Sequence, residues 1–389
     1  VFVYSPTFEG GGQSTIQSSK KGLRFDLNTP FGLGSNVNGD LIYGLDLLND
    51  VTSQPLLDGR TWVPKMDMVS TAPFLQLQAK FFHDLVFNGG VRFENINIGV
   101  PDYTTLKPYN NNTKTFGNSV DVKGGELQYN NLVFNSGLKY NRFDYFKPFV
   151  NFSQGFSVAD LGVLLRRATV NDISLIQTEA VIVNNYEVGF ASENRIYRVE
   201  AAAYISQSDL GSSFMEQNGF YNIIRLPERV HGFEVAADIN PTRDLTVGAT
   251  YSYVEGKRDV NDNGKFDDAE DTYLGGERIS APKYTAYVRY TPNKSLSLRA
   301  DLIGSGERDR FTVQEATGLY KTYEGKVSPY SIVNFAASYR MSPSTTFNLG
   351  VENVLNADYF PARSQFLMFD QYYIKGRGAS FTLGLTVEI

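Results

Sequence analysis

The sequence predicts an all-β fold, a transmembrane antiparallel β-barrel with about sixteen readable strands, and three observations lead there. Apolar and polar residues alternate in short segments along the whole chain. The connections between those segments alternate between short and long. No stretch reaches the roughly 18 consecutive apolar residues of a membrane-crossing helix, whereas a barrel strand needs only about 9–11 residues with lipid-facing groups at every second position.

In chain order, Phe87, Val91 and Phe93 oppose Asn88, Arg92 and Glu94, since successive strand side chains face opposite sides. Leu132, Phe134, Leu138 and Tyr140 oppose Asn135 and Lys139. Tyr197, Val199, Ala201, Ala203 and Ile205 alternate with Arg198, Glu200 and Tyr204, and Leu245, Val247, Ala249, Tyr251 and Tyr253 with Thr246, Thr250 and Ser252. Leu296, Leu298, Ala300 and Leu302 face away from Ser297, Arg299 and Asp301. The chain closes on GRGASFTLGLTVEI, with Phe381, Leu383, Leu385, Val387 and Ile389 on one side. A strand that alternates to its last residue needs a partner along its whole length, and in a barrel the last strand also closes against the first. No segment reads as an amphipathic helix.

Tight turns are expected at 81–85, 141–145, 192–195, 240–244, 291–295 and 341–345. Long connections are expected near 99–126, 158–182, 207–222, 255–276, 306–326 and 356–372. Outer-membrane barrels sort their connections in this way, with short turns on the periplasmic side and long loops outside the cell. Aromatic residues gather toward strand ends at 140–149, 251–253 and 370–376, as interfacial girdles do. Polar-side charges such as Arg92, Glu94, Arg198, Glu200, Glu234, Arg299, Asp301 and Glu352 face a water-filled or plugged lumen.

Composition removes other classes. Lys and Arg number 36 against 42 Asp and Glu, a net charge of -6, so there is no basic footprint for a nucleic-acid backbone. There is no cysteine and there are two histidines, His83 in a short turn and His231 on the apolar side of its strand. Nucleophilic catalysis of the Cys/His or Ser/His kind has no support here, and the chain is not expected to be an enzyme.

The stretch DVNDNGKFDDAE matches the twelve-residue calcium-loop pattern. Asp259, Asn261 and Asn263 occupy its first, third and fifth positions, Gly264 the sixth, Asp267 the ninth and Glu270 the twelfth, with Lys265 offering only its carbonyl. Oxygen ligands at alternate positions can surround Ca²⁺ once glycine allows the sharp turn. The alternative reading is an acidic loop kept soluble by its charge. No other cofactor is required.

Several stretches fall in a familiar order: YEVGF (186–190), HGFEVAADI (231–239), LGGERISAPKYTAYVRYTP (274–292), GVENVLNADYF (350–360) and the terminal GRGASFTLGLTVEI, with residues 43–66 upstream. On these the chain resembles the TonB-dependent outer-membrane receptors, the ferric-siderophore receptors among them, over essentially its whole length. The resemblance implies a barrel of about 22 strands, filled by an N-terminal plug, in the bacterial outer membrane. It also implies capture of a ferric siderophore by the outer loops, import energised by the TonB complex, contact with the lipid bilayer and insertion by the barrel assembly machinery. Residues 1–389 are then expected to be the C-terminal part of the barrel, with the plug, its TonB box and the first strands absent from this chain. Ile389 departs from the terminal aromatic residue of such barrels.

Siderophore capture on this reading uses cationic and aromatic groups near the mouth, since ferric chelates are commonly anionic and bulky. The candidates are Arg166, Arg167, Tyr221, Arg225, Arg308, Arg310, Arg363, Phe369, Tyr372 and Tyr373. The character of the stretch TSQPLLDGR leans toward a hydroxamate or citrate-hydroxamate ligand. A passive, porin-like channel of sixteen strands is the competing expectation, and a soluble all-β binding protein the third.

Overall fold

The computed structural model describes residues 2–3, 9–10, 12–110, 112–158, 160–176, 179–211, 213–217, 220–320, 324–365 and 373–388, with 2–3, 213–217 and 220–224 as backbone only. Fifteen strands form one meander: β1 (Gln17–Leu33), β2 (Val37–Pro55), β3 (Thr61–Phe81), β4 (Leu85–Val100), β5 (Gly125–Tyr140), β6 (Lys147–Ser157), β7 (Val181–Glu193), β8 (Tyr197–Ser208), β9 (Glu228–Ile239), β10 (Leu245–Arg258), β11 (Lys283–Asn293), β12 (Leu296–Ser305), β13 (Tyr330–Ser342), β14 (Thr345–Glu352) and β15 (Ser380–Val387). Each pairs with its neighbour in sequence, and a sixteenth strand, Thr272–Tyr273, pairs beside β10 off this path. The two ends of the order are β1 and β15, each with one neighbour among the described residues.

Contacts gather the chain into two compact units, one of residues 1–138, 151–185 and 207–228, the other of 139–150, 186–206 and 229–389. In the first, the register aligns Leu27, Tyr43, Leu75 and Val91 in one apolar row across β1–β4. The opposite face carries Arg24, Asp46, Arg92 and Glu94. Arg24 pairs with Asp46 at 2.8 Å, Arg92 with Asp46 at 2.5 Å, and Arg92 also with Glu94. In the second, one row runs Val247, Val288, Ala300, Phe335, Val351 and Phe381 across β10–β15, while Thr246, Arg289 and Arg299 line up on the other side. The terminal strand is paired from Ser380 to Val387, as its alternation requires.

The apolar face is bare. Phe381 is 74% exposed and Leu383 69%, a surface that water does not tolerate over many strands and that lipid satisfies. On the polar face the charges find partners two residues away on their own strand: Arg198 with Glu200 at 2.6 Å and Arg299 with Asp301 at 2.7 Å.

The connections sort as expected: 34–36, 82–84, 141–146, 194–196, 240–244, 294–295 and 343–344 are short, and 101–124, 158–180, 209–227, 259–282, 306–329 and 353–379 are long. The exception is the hairpin 56–60 between β2 and β3, which is short at the long-loop end. One expectation needs correcting, because a helix does occur: α1 (Leu161–Arg166), started by Asp160, whose carboxylate accepts the Val163 N–H at 3.2 Å. Six residues are too few for a 3.6-residue period to register in the sequence.

Candidate functional site

The long loops carry their own cores. In the first unit, Ile96, Ile98 and Val100 continue the face of Arg92 and Glu94 beyond the ion pairs and pack with Val122, Leu127, Leu161, Leu165 and Ile173. Tyr103 donates its hydroxyl to the Leu165 carbonyl at 2.8 Å and locks α1 to this core, where burial pushes the phenol pKa well up. Gly124 has no room for a side chain: a Cβ there would stand 2.2 Å from the Val100 carbonyl oxygen.

The helix so fixed presents Arg166 over the ring of Trp62, with the guanidinium carbon 4.9 Å from the ring centroid. Burial pulls this guanidinium below its ordinary pKa, with Asp160 opposing. Its Nε has no hydrogen-bond partner among the described residues. That Nε is itself buried, so only the exposed part of the guanidinium can meet a partner, and a cation on an aromatic plate is chemically suited to an anionic one. Arg167 is the next residue, and its backbone closes α1 by donating to Leu164 and Leu165 carbonyls. Arg225 is different. Its side chain is 2% exposed and is spent on Glu179, through that residue's carbonyl and, at 3.4 Å, its carboxylate. Tyr221 lies in the strand Phe220–Ile224, opposite Glu216.

In the second unit Arg308 is also internal. It donates to the Glu255 carboxylate and the Leu274 carbonyl, both at 2.8 Å. Arg310 stays half-exposed, 3.3 Å from the same Glu255 carboxylate and 3.5 Å from the Tyr253 hydroxyl. It borders a pocket of about 170 Å³ with Arg229, His231 and Lys257 as the further nitrogen groups. The pocket is walled by aromatic rings, with Arg229 over Phe266 at 4.6 Å and Lys257 over Tyr273 at 5.2 Å. Arg363 is the middle residue of the short helical turn Ala362–Ser364 and is exposed, and Tyr373 packs edge-on against Phe360 at 5.6 Å. Phe369 and Tyr372 lie outside the described residues.

The structure thus divides the predicted set. Arg166 and Arg310 keep part of their side chains exposed, while Arg225 and Arg308 are buried and hold loops together. Trp62, Arg229 and Lys257 are missing from the predicted set. For the last two a usable signal existed: they extend the alternation of Phe233 and Tyr253 beyond the aromatic row.

In the loop 259–270, Asp259 is fully buried and its carboxylate accepts the N–H groups of Asn263 at 3.2 Å and Gly264 at 2.7 Å. Gly264 supplies the left-handed turn with φ of 79°. The amide of Asn261 donates to Glu270 at 3.2 Å and that of Asn263 to Asp268 at 2.5 Å, while Asn263 accepts the Lys265 N–H at 2.8 Å. Asp267 points to solvent. The turn of a calcium loop is therefore present, but its ligands are not gathered: among the described residues no three His, Cys, Asp or Glu side chains stand together as a metal would need.

With this geometry in place, comparison with known proteins gives the class. Residues 2–354 match the family described as TonB dependent receptor-like, beta-barrel, and the chain belongs to that family. It is a family of receptors and transporters, not of enzymes. The Rhizobactin receptor of Rhizobium meliloti (strain 1021) is 27% identical over 348 residues, 83% of this chain and 44% of the relative. The Ferric aerobactin receptor of Klebsiella pneumoniae is 27% identical over 83% of this chain and 45% of its own length. The chain therefore spans less than half the length of these relatives. Among solved structures, the ferric-catecholate import receptor Fiu from K12 E. coli superimposes with a TM-score of 0.72 at 16% identity, covering 96% of this chain and 55% of that one, which establishes the fold.

Proposed function

We propose that this chain is the C-terminal part of the barrel of an outer-membrane receptor that imports a ferric siderophore with energy coupled through TonB. Family membership carries the reading, and the names of both matched relatives, receptors for rhizobactin and for ferric aerobactin, support an iron-chelate cargo. Arg166 on Trp62 is the group best suited to contact an anionic chelate in the first unit. A hydroxamate or citrate-hydroxamate ligand is the subclass proposed. On this reading the apolar face meets lipid in the bacterial outer membrane, the barrel assembly machinery inserts it, and a plug with its TonB box belongs to the longer protein.

The family match over residues 2–354 favours this receptor reading over a self-contained porin-like channel.

The test is a titration of the full-length receptor in detergent with ferric hydroxamate and ferric citrate-hydroxamate chelates, followed by iron uptake in cells with and without TonB. Saturable binding with TonB-dependent uptake is expected. Steady conductance without chelate binding would replace the receptor reading with the channel.

A weak calcium site at 259–270 is a second, local proposal, favoured by the turn that Asp259 and Gly264 already hold. Calorimetry should then find a dissociation constant of about 10⁻⁴–10⁻³ M that weakens in Glu270→Gln. Absence of any Ca²⁺ heat removes it.

A further inference from the structure

The pocket that borders Arg310 is on the side of the sheet where a siderophore is not expected. On β10, Val247, Ala249, Tyr251, Tyr253, Glu255 and Lys257 share one face. On β9, Ile239, Ala237, Val235, Phe233, His231 and Arg229 share it too, in the opposite chain direction. Read toward the long loops, both strands pass from aliphatic to aromatic to charged. Phe233 stacks with Tyr251 at 5.7 Å and packs on Tyr253 at 5.8 Å, so the aromatic step is one continuous belt across the two strands.

Arg229 is four residues beyond Phe233, about 13 Å of strand and about 10 Å of height at the usual barrel tilt. That is where the headgroup layer begins above an aromatic girdle. Arg229 and Lys257 project there, each over an aromatic ring, with Arg310 beside them. One carboxylate lines the pocket, Glu255, and it is already engaged by Arg308 and Arg310. The residues that line the pocket thus carry three cations, Arg229, Lys257 and Arg310, against one carboxylate.

We propose that this pocket binds the phosphate of an anionic lipid headgroup in the outer leaflet, clamping the barrel wall to its surrounding lipid. The inference rests on the reading of the apolar face as lipid-facing. Arg229, Lys257 and Arg310 supply the charge, Phe266 and Tyr273 hold the cations in place, and the Phe233–Tyr251–Tyr253 belt receives the start of the acyl region. A soluble anion would use the cations but gain nothing from the belt.

The experiment is native mass spectrometry of the full-length receptor in detergent, with a diphosphorylated glucosamine lipid, the same lipid without phosphates, and inorganic phosphate as competitor. The wild-type receptor is expected to retain the phosphorylated lipid about thirty-fold better than the stripped one, and Arg229→Gln/Lys257→Gln to lose most of that preference, since each cation near an anionic headgroup contributes a factor of about five. Arg229→Lys/Lys257→Arg should restore it, which separates charge from folding. Arg289→Gln, on the polar face, should leave it unchanged. Undiminished lipid retention by the double glutamine variant overturns the proposal, as does displacement by inorganic phosphate at concentrations comparable to the lipid's. A wild-type receptor that stays dispersed without detergent would instead sink the lipid-facing reading beneath it.

Discussion

At the scale of residues, the loop arginines are alike in sequence and opposite in role. Arg308 and Glu255 are both nearly fully buried, and a buried pair that loses one member leaves an uncompensated charge. Glu255→Gln should therefore destabilise the protein by about 3–5 kcal/mol in urea unfolding. Arg166→Gln should leave stability within about 0.5 kcal/mol but weaken ferric-chelate binding about ten-fold, because it removes a partly exposed cation held over Trp62 that has no ion-pair duty of its own among the described residues. Asn353 is 2% exposed and ties Ala357 and Arg377 to the end of β14 through bonds of 2.8–3.1 Å. Asn353→Ala should cost about 2–3 kcal/mol, since it strands buried backbone groups. Glu277 adds a pH dependence. Glu277 is exposed, but partial desolvation by the surrounding loop raises its carboxyl pKa above 4.5, against its own backbone N–H and Arg278, Arg258 and Arg308, a shift that solvent keeps small. The folded state then holds the proton more tightly than the unfolded one, so this contribution is complete below pH 4.5 and declines as pH rises through the raised value. Glu277→Gln should remove the decline, read as a variant-minus-wild-type stability difference that grows with pH.

At the scale of elements, the two faces of a strand answer to different solvents. Val288 stands in the apolar row and Thr285 on the opposite side of the same strand. Val288→Arg should cost about 2–4 kcal/mol in folding into bilayers, and Thr285→Arg about 0–1 kcal/mol. Equal costs would mean that neither face meets lipid. The loops obey a different rule: α1 is held by Asp160, Tyr103 and the core around Leu165, so it is a rigid mount for Arg166 rather than a frayed turn.

At the scale of the whole molecule, the receptor and channel readings part on energy coupling, and family membership favours the receptor. The long strands β2 and β3, of 19 and 21 residues, exceed what a bilayer needs and carry the loops well beyond it. A receptor of this kind should bind its chelate without transporting it when TonB is absent. Uptake that persists undiminished without TonB would point to a channel.

How far the amino-acid sequence alone reached follows from the range of each interaction. Strand facing is a nearest-neighbour property with a period of two, so Phe381 and Leu383, or Arg299 and Asp301, could be assigned to faces before any fold was known. Loop sorting was readable for the same reason, because loop length is written directly between the strands. The fate of each loop arginine was not. Arg225 meets Glu179 from 46 residues away and Arg308 meets Glu255 from 53, and nothing local distinguishes them from Arg166 or Arg310. The pocket of Arg229, Lys257 and Arg310 likewise exists only because antiparallel pairing sets two strands and a distant loop side by side. Alternation told which side a residue faces, and long-range pairing decided what it meets there.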